Sequence, residues 1–277
     1  MNIGIDMGGT NMRAALIDGD RILCKKTVSC PSAGSQQEVL DVLVQLVRGV
    51  KTPEVTAIGA GIPSVMDRKE GIVYNVANIP SWKEVPLKAC LEDVFHVPVS
   101  LDNDSNCFAL GLAHFGEGRN YNNFLGVTLG TGLGAGVVID KQLYRGCNDG
   151  AGELGSLSYK DSDIEHYCSS HYFLNKCECT ARDVGRAARQ GDKMAKEVWN
   201  EFGIHIGRFI KTVMFTYDTE AVIFGGGIAS GFDLFEKFMW KEIASFPYAK
   251  LAERLKVFPT GLNDAALFGA ASLCESM

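Results

Sequence analysis

The sequence predicts an α/β protein built of two related lobes, and three observations predict it. Short strand patterns alternate with helical ones along the chain. Each half opens with a strand, a glycine-rich turn and a second strand. The length of 277 residues corresponds to about two domains of roughly 150 residues each. The polar, glycine-containing stretch 116–123 is the expected boundary. It separates an N-terminal lobe (1–116, joined by a C-terminal helix at about 264–277) from a C-terminal lobe (117–263), with a cleft between them.

The elements follow in order. Residues 2–7 and 12–17 read as strands joined by Gly8-Gly9-Thr10, and 22–28 as a third strand. Apolar positions Val39, Leu40, Leu43, Leu46, Val47 and Val50 hold a helical period over 36–50. The apolar run 55–62, stopped by Pro63, reads as a buried strand, and 78–82 as loop. A strand at 97–101 leads into Asp102-Asn103-Asp104 and a helix over 105–115, capped by an Asp or Ser. A second glycine-rich hairpin pairs 124–130 with 134–140 around Thr131-Gly132-Leu133. The longest helical pattern is 194–215, with Asp192 as its cap. A strand at 221–224 breaks into Gly225-Gly226-Gly227, and helices follow at 233–245 and 265–274.

Composition narrows the function. Lys and Arg total 27 against 33 Asp and Glu, a net charge of −6 without a basic block. Binding to nucleic acid or to an anionic membrane is therefore not expected. No apolar run approaches the ~20 residues of a membrane helix. The nine cysteines are odd in number and scattered, which reads as free thiols. No basic-then-apolar leader precedes Ile3, so the expected location is the cytoplasm. Gly is plentiful (31) and Pro scarce (8), a balance that favours tight turns and close backbone approach to ligands.

Three of those turns follow strands directly: Gly8-Gly9-Thr10, Gly130-Thr131-Gly132 and Gly225-Gly226-Gly227. Bare N–H groups at such turns make anion-binding concavities, and threonine adds a hydroxyl donor. The Walker A spacing is absent, and Ala135 and Ser230 break the dinucleotide-binding spacing. Asp6 stands beside the first turn. A carboxylate there would repel phosphate unless a cation sits between them, which points to Mg²⁺. Asp104, at a strand end, could take a proton from a substrate hydroxyl. Glu153 lies in the run Gly150-Ala151-Gly152-Glu153-Leu154-Gly155, where small neighbours let a polyol come close.

Together these stretches resemble the ROK sugar kinases. The resemblance is carried by Asp6-Met7-Gly8-Gly9-Thr10-Asn11-x-Arg13, Gly59-x-Gly61-Ile62-Pro63, Asn78-Ile79-Pro80-x-Trp82 and Asp102-Asn103-Asp104-Ser105-Asn106. It continues in Leu129-Gly130-Thr131-Gly132-Leu133-Gly134, Gly152-Glu153-Leu154-Gly155 and Phe224-Gly225-Gly226-Gly227-Ile228. It implies a two-lobed, actin-like (ribonuclease H-like) ATPase fold with ATP and Mg²⁺ in the interlobe cleft. It further implies Asp104 as the base on the sugar hydroxyl. Asn78, Asn103, Asp104, Glu153 and Glu165 would bind the sugar. Asp6, Gly8, Gly9, Thr10, Gly130, Thr131, Gly132, Gly226 and Gly227 would face the nucleotide, with Asp6 near the metal. The implied reaction is phosphorylation of a hexose or N-acetylhexosamine, at the 6-hydroxyl, by a glucokinase-like homodimer.

Two departures stand out. Members of the family usually follow Gly-Glu-Leu-Gly with a histidine that touches both sugar and a structural zinc, whereas this chain has Ser156. The family's C-x-C-G-x-x-G-C stretch is missing, and 159–164 holds no cysteine, so no structural zinc is expected. His166, Cys168, His171, Cys177 and Cys179 crowd together downstream, but not at the family's spacing. Trp82, in the Asn78 loop, is a candidate to pack near the sugar. Trp199 lies on the apolar stripe of the longest helix and reads as a core or dimer-interface residue, while His96, His114 and His205 are isolated and read as ordinary surface or core histidines.

Two alternatives remain. A sugar-responsive repressor of the same family would carry a helix-turn-helix ahead of the first strand, which here starts at Asn2. Another actin-like ATPase would not need Glu153 and Glu165 beside the asparagines.

Overall fold

Asn2–Met7 (β1) and Asn11–Asp18 (β2) form an antiparallel hairpin in which Asp6 lies opposite Arg13. The chain is seen in a computed structural model that describes residues 1–76 and 78–276. Arg21–Ser29 (β3) pairs with β2. Gln36–Arg48 (α1) starts at a capping box, where Ser35 and Glu38 satisfy each other's backbone N–H groups. Ala57–Ile62 (β4), fully buried, runs parallel to β1. Met66–Asp67 (β5), Ile72–Tyr74 (β6) and Glu84–Val85 (β7) make a small antiparallel sheet. Leu87–Phe95 (α2), Val99–Asn103 (β8) and Asp104–Phe115 (α3) follow.

The second half repeats the pattern with Phe124–Leu129 (β9) and Leu133–Ile139 (β10), then Gln142–Tyr144 (β11). Ser158–Tyr159 (β12) and Ser162–Asp163 (β13) form a tiny hairpin. Four helices come next: Ile164–Cys168 (α4), Ser170–Cys177 (α5), Ala181–Arg189 (α6) and Lys193–Tyr217 (α7). Asp192 caps α7 through the Ala195 N–H, as its position predicts. Ala221–Gly225 (β14), Phe232–Ile243 (α8), Ala249–Arg254 (α9), Lys256–Pro259 (β15) and Ala265–Ser272 (α10) complete the order.

The chain forms two units. The first gathers Met1–Arg119, Gln142–Ala151 and the chain from Leu262 onward, and the second Asn120–Lys141 and Gly152–Gly261. The sequence reading placed all of 117–263 in the second lobe. The stretch Gln142–Ala151 differs because Arg145 and Asp149 form ion pairs with Asp102 and Arg68. In the first unit the strands run β3-β2-β1-β4-β8, and in the second β10-β9-β14-β15. Each contains an antiparallel hairpin extended on one side by two parallel strands, and in the first unit β3 adds a further antiparallel strand on the other side.

Period 2 sorts the first sheet's residues onto two faces. Ile3, Ile5, Ile58 and Ala60 pack with Val39 and Leu43 of α1 and Leu91 of α2. The opposite face carries Gly4 and Gly59, which are register partners, and α10 lies on it. A Cβ at Gly4 would run into the Leu267 carbonyl, and one at Gly59 into the Ala270 carbonyl. The second core is aromatic, with Phe173, Trp199, Phe202 and Phe235 in mutual contact. Trp82 does not face a ligand: it is fully buried in the first core. Among the described residues no helix is long and apolar enough to cross a membrane.

The close seat of α10 gives a first prediction. Gly59→Ala must push α10 off the sheet and should cost about 3 kcal/mol or more of stability. Thermal denaturation checks this, and an unchanged Tm would contradict the packing.

Candidate functional site

In the first unit the site begins where β8 turns into α3. The cap of α3 is neither Asp104 nor Ser105, as the sequence suggested, but Asn103. Its Oδ1 accepts the N–H groups of Ser105 (2.8 Å) and Asn106 (3.4 Å). Asp104 therefore stands at the first helical position, half-buried, where the helix N-terminus favours a negative charge. Its Oδ1 accepts the Ser105 N–H at 2.8 Å and the Ser105 hydroxyl at 3.3 Å. Asn103 keeps its amide N–H groups as the donors it can offer a ligand.

The first glycine turn lies in the same unit. Gly8 N–H closes the turn on the Asn11 carbonyl (2.9 Å), while those of Gly9 and Thr10 donate to no described residue. The exposed side chain of Asn78 packs against Gly9, and a Cβ at Gly9 would collide with it. The expected sugar loop and phosphate turn thus touch. Asp6 is ion-paired with Arg13 across the hairpin. Arg13 also reaches Asp264 (3.4 Å), which Lys25 holds at 2.7 Å. One carboxylate beside a turn of N–H groups suits Mg²⁺, which keeps most of its waters and binds through phosphates.

In the second unit Glu165, on α4, reaches back to the turn between β9 and β10. Its Oε2 accepts the Leu133 N–H at 2.9 Å, and Gly132 has no room for a Cβ beside that carboxylate. The Gly130 N–H bonds the Gly132 carbonyl (3.0 Å), leaving the N–H groups of Thr131 and Gly132 without a described acceptor. The Thr131 side chain is exposed. Glu153 is an exposed residue whose carboxyl is nonetheless crowded by protein. Partial desolvation first, and the charge of Glu165 second, push it above the usual carboxylate range. Gly226 has φ +85° and lies under the Leu129 carbonyl, so the fold itself demands glycine there. Gly130 and Gly227 differ. A Cβ at either would meet nothing within 4 Å, and neither has a positive φ. Packing among the described residues gives no reason for glycine at these two positions.

The sequence of 156–164 does not fit a structural zinc, and the structure shows what holds this region instead. Ser156 is exposed, and the β12–β13 hairpin is fastened by side chains. The Tyr159 hydroxyl lies 2.9 Å from Nδ1 of His205, which is 2% exposed. Tyr167 and Tyr172 pack their rings on the same imidazole. Downstream, His166 bonds Asn175 (3.1 Å), the Cys177 thiol donates to the Phe173 carbonyl (3.2 Å), Cys168 is buried, and His171 and Cys179 are exposed. Among the described residues no group of three or more His, Cys, Asp or Glu side chains is arranged to hold a metal ion.

Sequence reading assigned no role to Asp102, Arg145 or Arg68. Asp102 is 1% exposed and accepts Arg145 Nε at 2.7 Å, with Arg68 Nε at 3.5 Å. An acid at a strand end beside a proposed base was the available signal. Its arginine partners come from distant loops and left no trace in spacing.

Residues 2–277 match the model of the ROK family, and the chain belongs to that family. Its fold is the α/β, actin-like ATPase fold of the family's solved structures. A solved ROK family glucokinase from Streptomyces griseus, in complex with glucose and AMPPNP, superposes with a TM-score of 0.88. It shares 27% identity, covering 100% of this chain and 99% of that one. The glucokinase of Streptomyces coelicolor is 27% identical over 99% of this chain and 98% of its own length. The xylose repressor of Bacillus subtilis is 24% identical over 98% of this chain and 76% of its own length.

The buried imidazole predicts a pH dependence. Burial first, then the charge of Lys160, lower the His205 pKa from 6.5 to about 4; Arg208 adds to this and Glu201 opposes it. The folded state prefers neutral His205. Its contribution is complete above pH 6.5 and is lost as the pH falls toward 4. The loss amounts to about 3 kcal/mol. Urea denaturation of wild type and His205→Gln should show the wild type losing this extra stability over that window. Parallel pH curves would contradict it.

Proposed function

We propose that this protein is an ATP-dependent sugar kinase that phosphorylates a hydroxyl, the 6-hydroxyl, of a hexose or N-acetylhexosamine. One observation carries the reading. Glu165 touches the Gly130–Gly132 turn through the Leu133 N–H, and its charge acts on Glu153. Two carboxylates able to accept hydrogen bonds from a polyol are thus built onto a turn able to cradle phosphate. Similarity to glucokinases, one with glucose and AMPPNP bound, supports it.

In this reading Asp104 takes the proton of the attacking hydroxyl as that oxygen bonds to the γ-phosphorus of ATP, while the bond from the γ-phosphorus to the β,γ-bridging oxygen breaks and ADP leaves with its electron pair. Asn78, Asn103, Glu153 and Glu165 orient the sugar by its other hydroxyls, which converts encounter into alignment. The side chains of Thr10 and Thr131 and the N–H groups of Gly9, Thr10, Thr131 and Gly132 bind phosphate oxygens, while Gly8 and Gly130 close the two turns that present them. Gly226 and Gly227 lie against the nucleoside. Mg²⁺, when bound near Asp6, neutralises charge on the transferring phosphates. The resemblance extends the reading to a cytoplasmic homodimer. A second reading, a sugar-responsive regulator without turnover, is favoured only by the similarity to a xylose repressor.

Asp104→Asn should keep sugar and ATP binding in calorimetry while kcat falls at least about a thousandfold, within the range of general-base loss. Near-normal turnover would remove Asp104 from the role. Glu153→Gln should raise the sugar KM about tenfold or more with the ATP KM nearly unchanged. Gly227→Ala and Gly130→Ala should do the reverse, raising the ATP KM with Tm unaltered. Equal effects on both substrates would count against these assignments.

A further inference from the structure

Asp102 takes no part in the chemistry above, yet it is a buried acid held from several sides. At 1% exposure it accepts its own neighbour's N–H, from Asn103 (2.8 Å), and the Asn106 amide (2.8 Å). It also accepts Arg145 Nε (2.7 Å), and Arg68 Nε stands at 3.5 Å. Arg68 in turn reaches Asp149 at 3.3 Å. Ion pairing of a buried carboxylate is weak grounds for stability, because desolvation of the charges offsets most of the attraction. Its value here lies in what it joins.

Asp102 immediately precedes the cap Asn103 and stands two residues before Asp104. Arg145 and Asp149 bracket the loop that runs into Gly152 and Glu153. That loop folds back on itself, with Ala151 N–H on the Arg145 carbonyl (3.0 Å), so holding Arg145 holds the loop's end as well. Arg68 ties the same loop to the β5–β6 turn. We propose that Asp102, Arg145 and Arg68 form a positioning clamp that fixes the loop leading into the sugar-reading Glu153 onto the segment that carries Asp104. The clamp acts through those residues and touches no substrate. At Arg68 an arginine is required because Nε faces Asp102 and Nη1 faces Asp149, whereas lysine would supply a single point charge.

The inference rests on the sugar-kinase reading for its catalytic consequence, and the test separates the two. Arg145→Met strands a buried charge and can fail to fold, so Asp102→Asn/Arg145→Met, which removes both charges, is measured alongside. In the folded double variant the sugar KM should rise about tenfold and kcat fall about tenfold, with the ATP KM within about twofold of wild type. Arg68→Lys, which cannot reach Asp102 and Asp149 together, should raise the sugar KM in the same direction. Hydrogen exchange at the amides of 146–152 should quicken in the double variant, whatever the enzyme turns over. Unchanged sugar KM with unchanged exchange would overturn the clamp. So would a fall in the active fraction alone, or equal shifts in both KM values. A wild type without sugar-dependent turnover would instead sink the kinase reading, and the exchange measurement alone would then decide the clamp.

Discussion

The placement of α10 is the constraint on which the first unit depends. Its backbone lies against β1 and β4 at distances only glycine tolerates, at Gly4 and Gly59. The same helix locks against α3, where a Cβ at Gly111 would meet the Ala265 carbonyl and one at Gly269 the Cys107 carbonyl. The helix whose first residue is Asp104 is therefore seated by backbone contact rather than by adjustable side chains. Asp264, just ahead of α10, holds Arg13 and Lys25, and Arg13 holds Asp6. A core residue can relax around a lost methyl group, but a helix resting on carbonyls cannot move aside. The two acids with the largest assigned roles inherit that rigidity.

Charge is distributed with similar economy. Burial first, then Asp102, Asp104 and Asp6 in turn, push the Cys107 thiol well above its usual range, so three carboxylates surround one buried sulfur. Asp6 is paired with Arg13, and Asp102 with Arg145. Asp104 stands at a helix N-terminus, where a negative charge is favoured. In the second unit the balance is reversed. There burial first, and the charge of Glu165 second, raise the cost of ionising Glu153.

Much of this was legible in the sequence, for identifiable reasons. The two glycine hairpins, β4 and α7 announced themselves because period 2, period 3.6 and caps all agreed. The capping role of Asn103 is not legible in the sequence because three consecutive polar residues at a helix start compete for one cap, and only backbone geometry decides among them. Trp82 shares a loop with Asn78 yet points into the core, a choice that neighbours distant in sequence make. The short helices α2, α4, α5 and α6 left too few turns for a period to show. The Tyr159–His205 fastening and the Asp102–Arg145 pair span 46 and 43 residues, and spacing carries no signal for such contacts.

The measurement that bears most directly on the account is ADP release by the wild-type protein from ATP and Mg²⁺, across a panel of hexoses and N-acetylhexosamines. The account predicts release that depends on one sugar or a close pair of sugars, with one phosphorylated sugar formed per ADP. Sugar binding without ADP release would contradict it in favour of a regulator. Release independent of every sugar would contradict it in favour of another ATPase of the same fold.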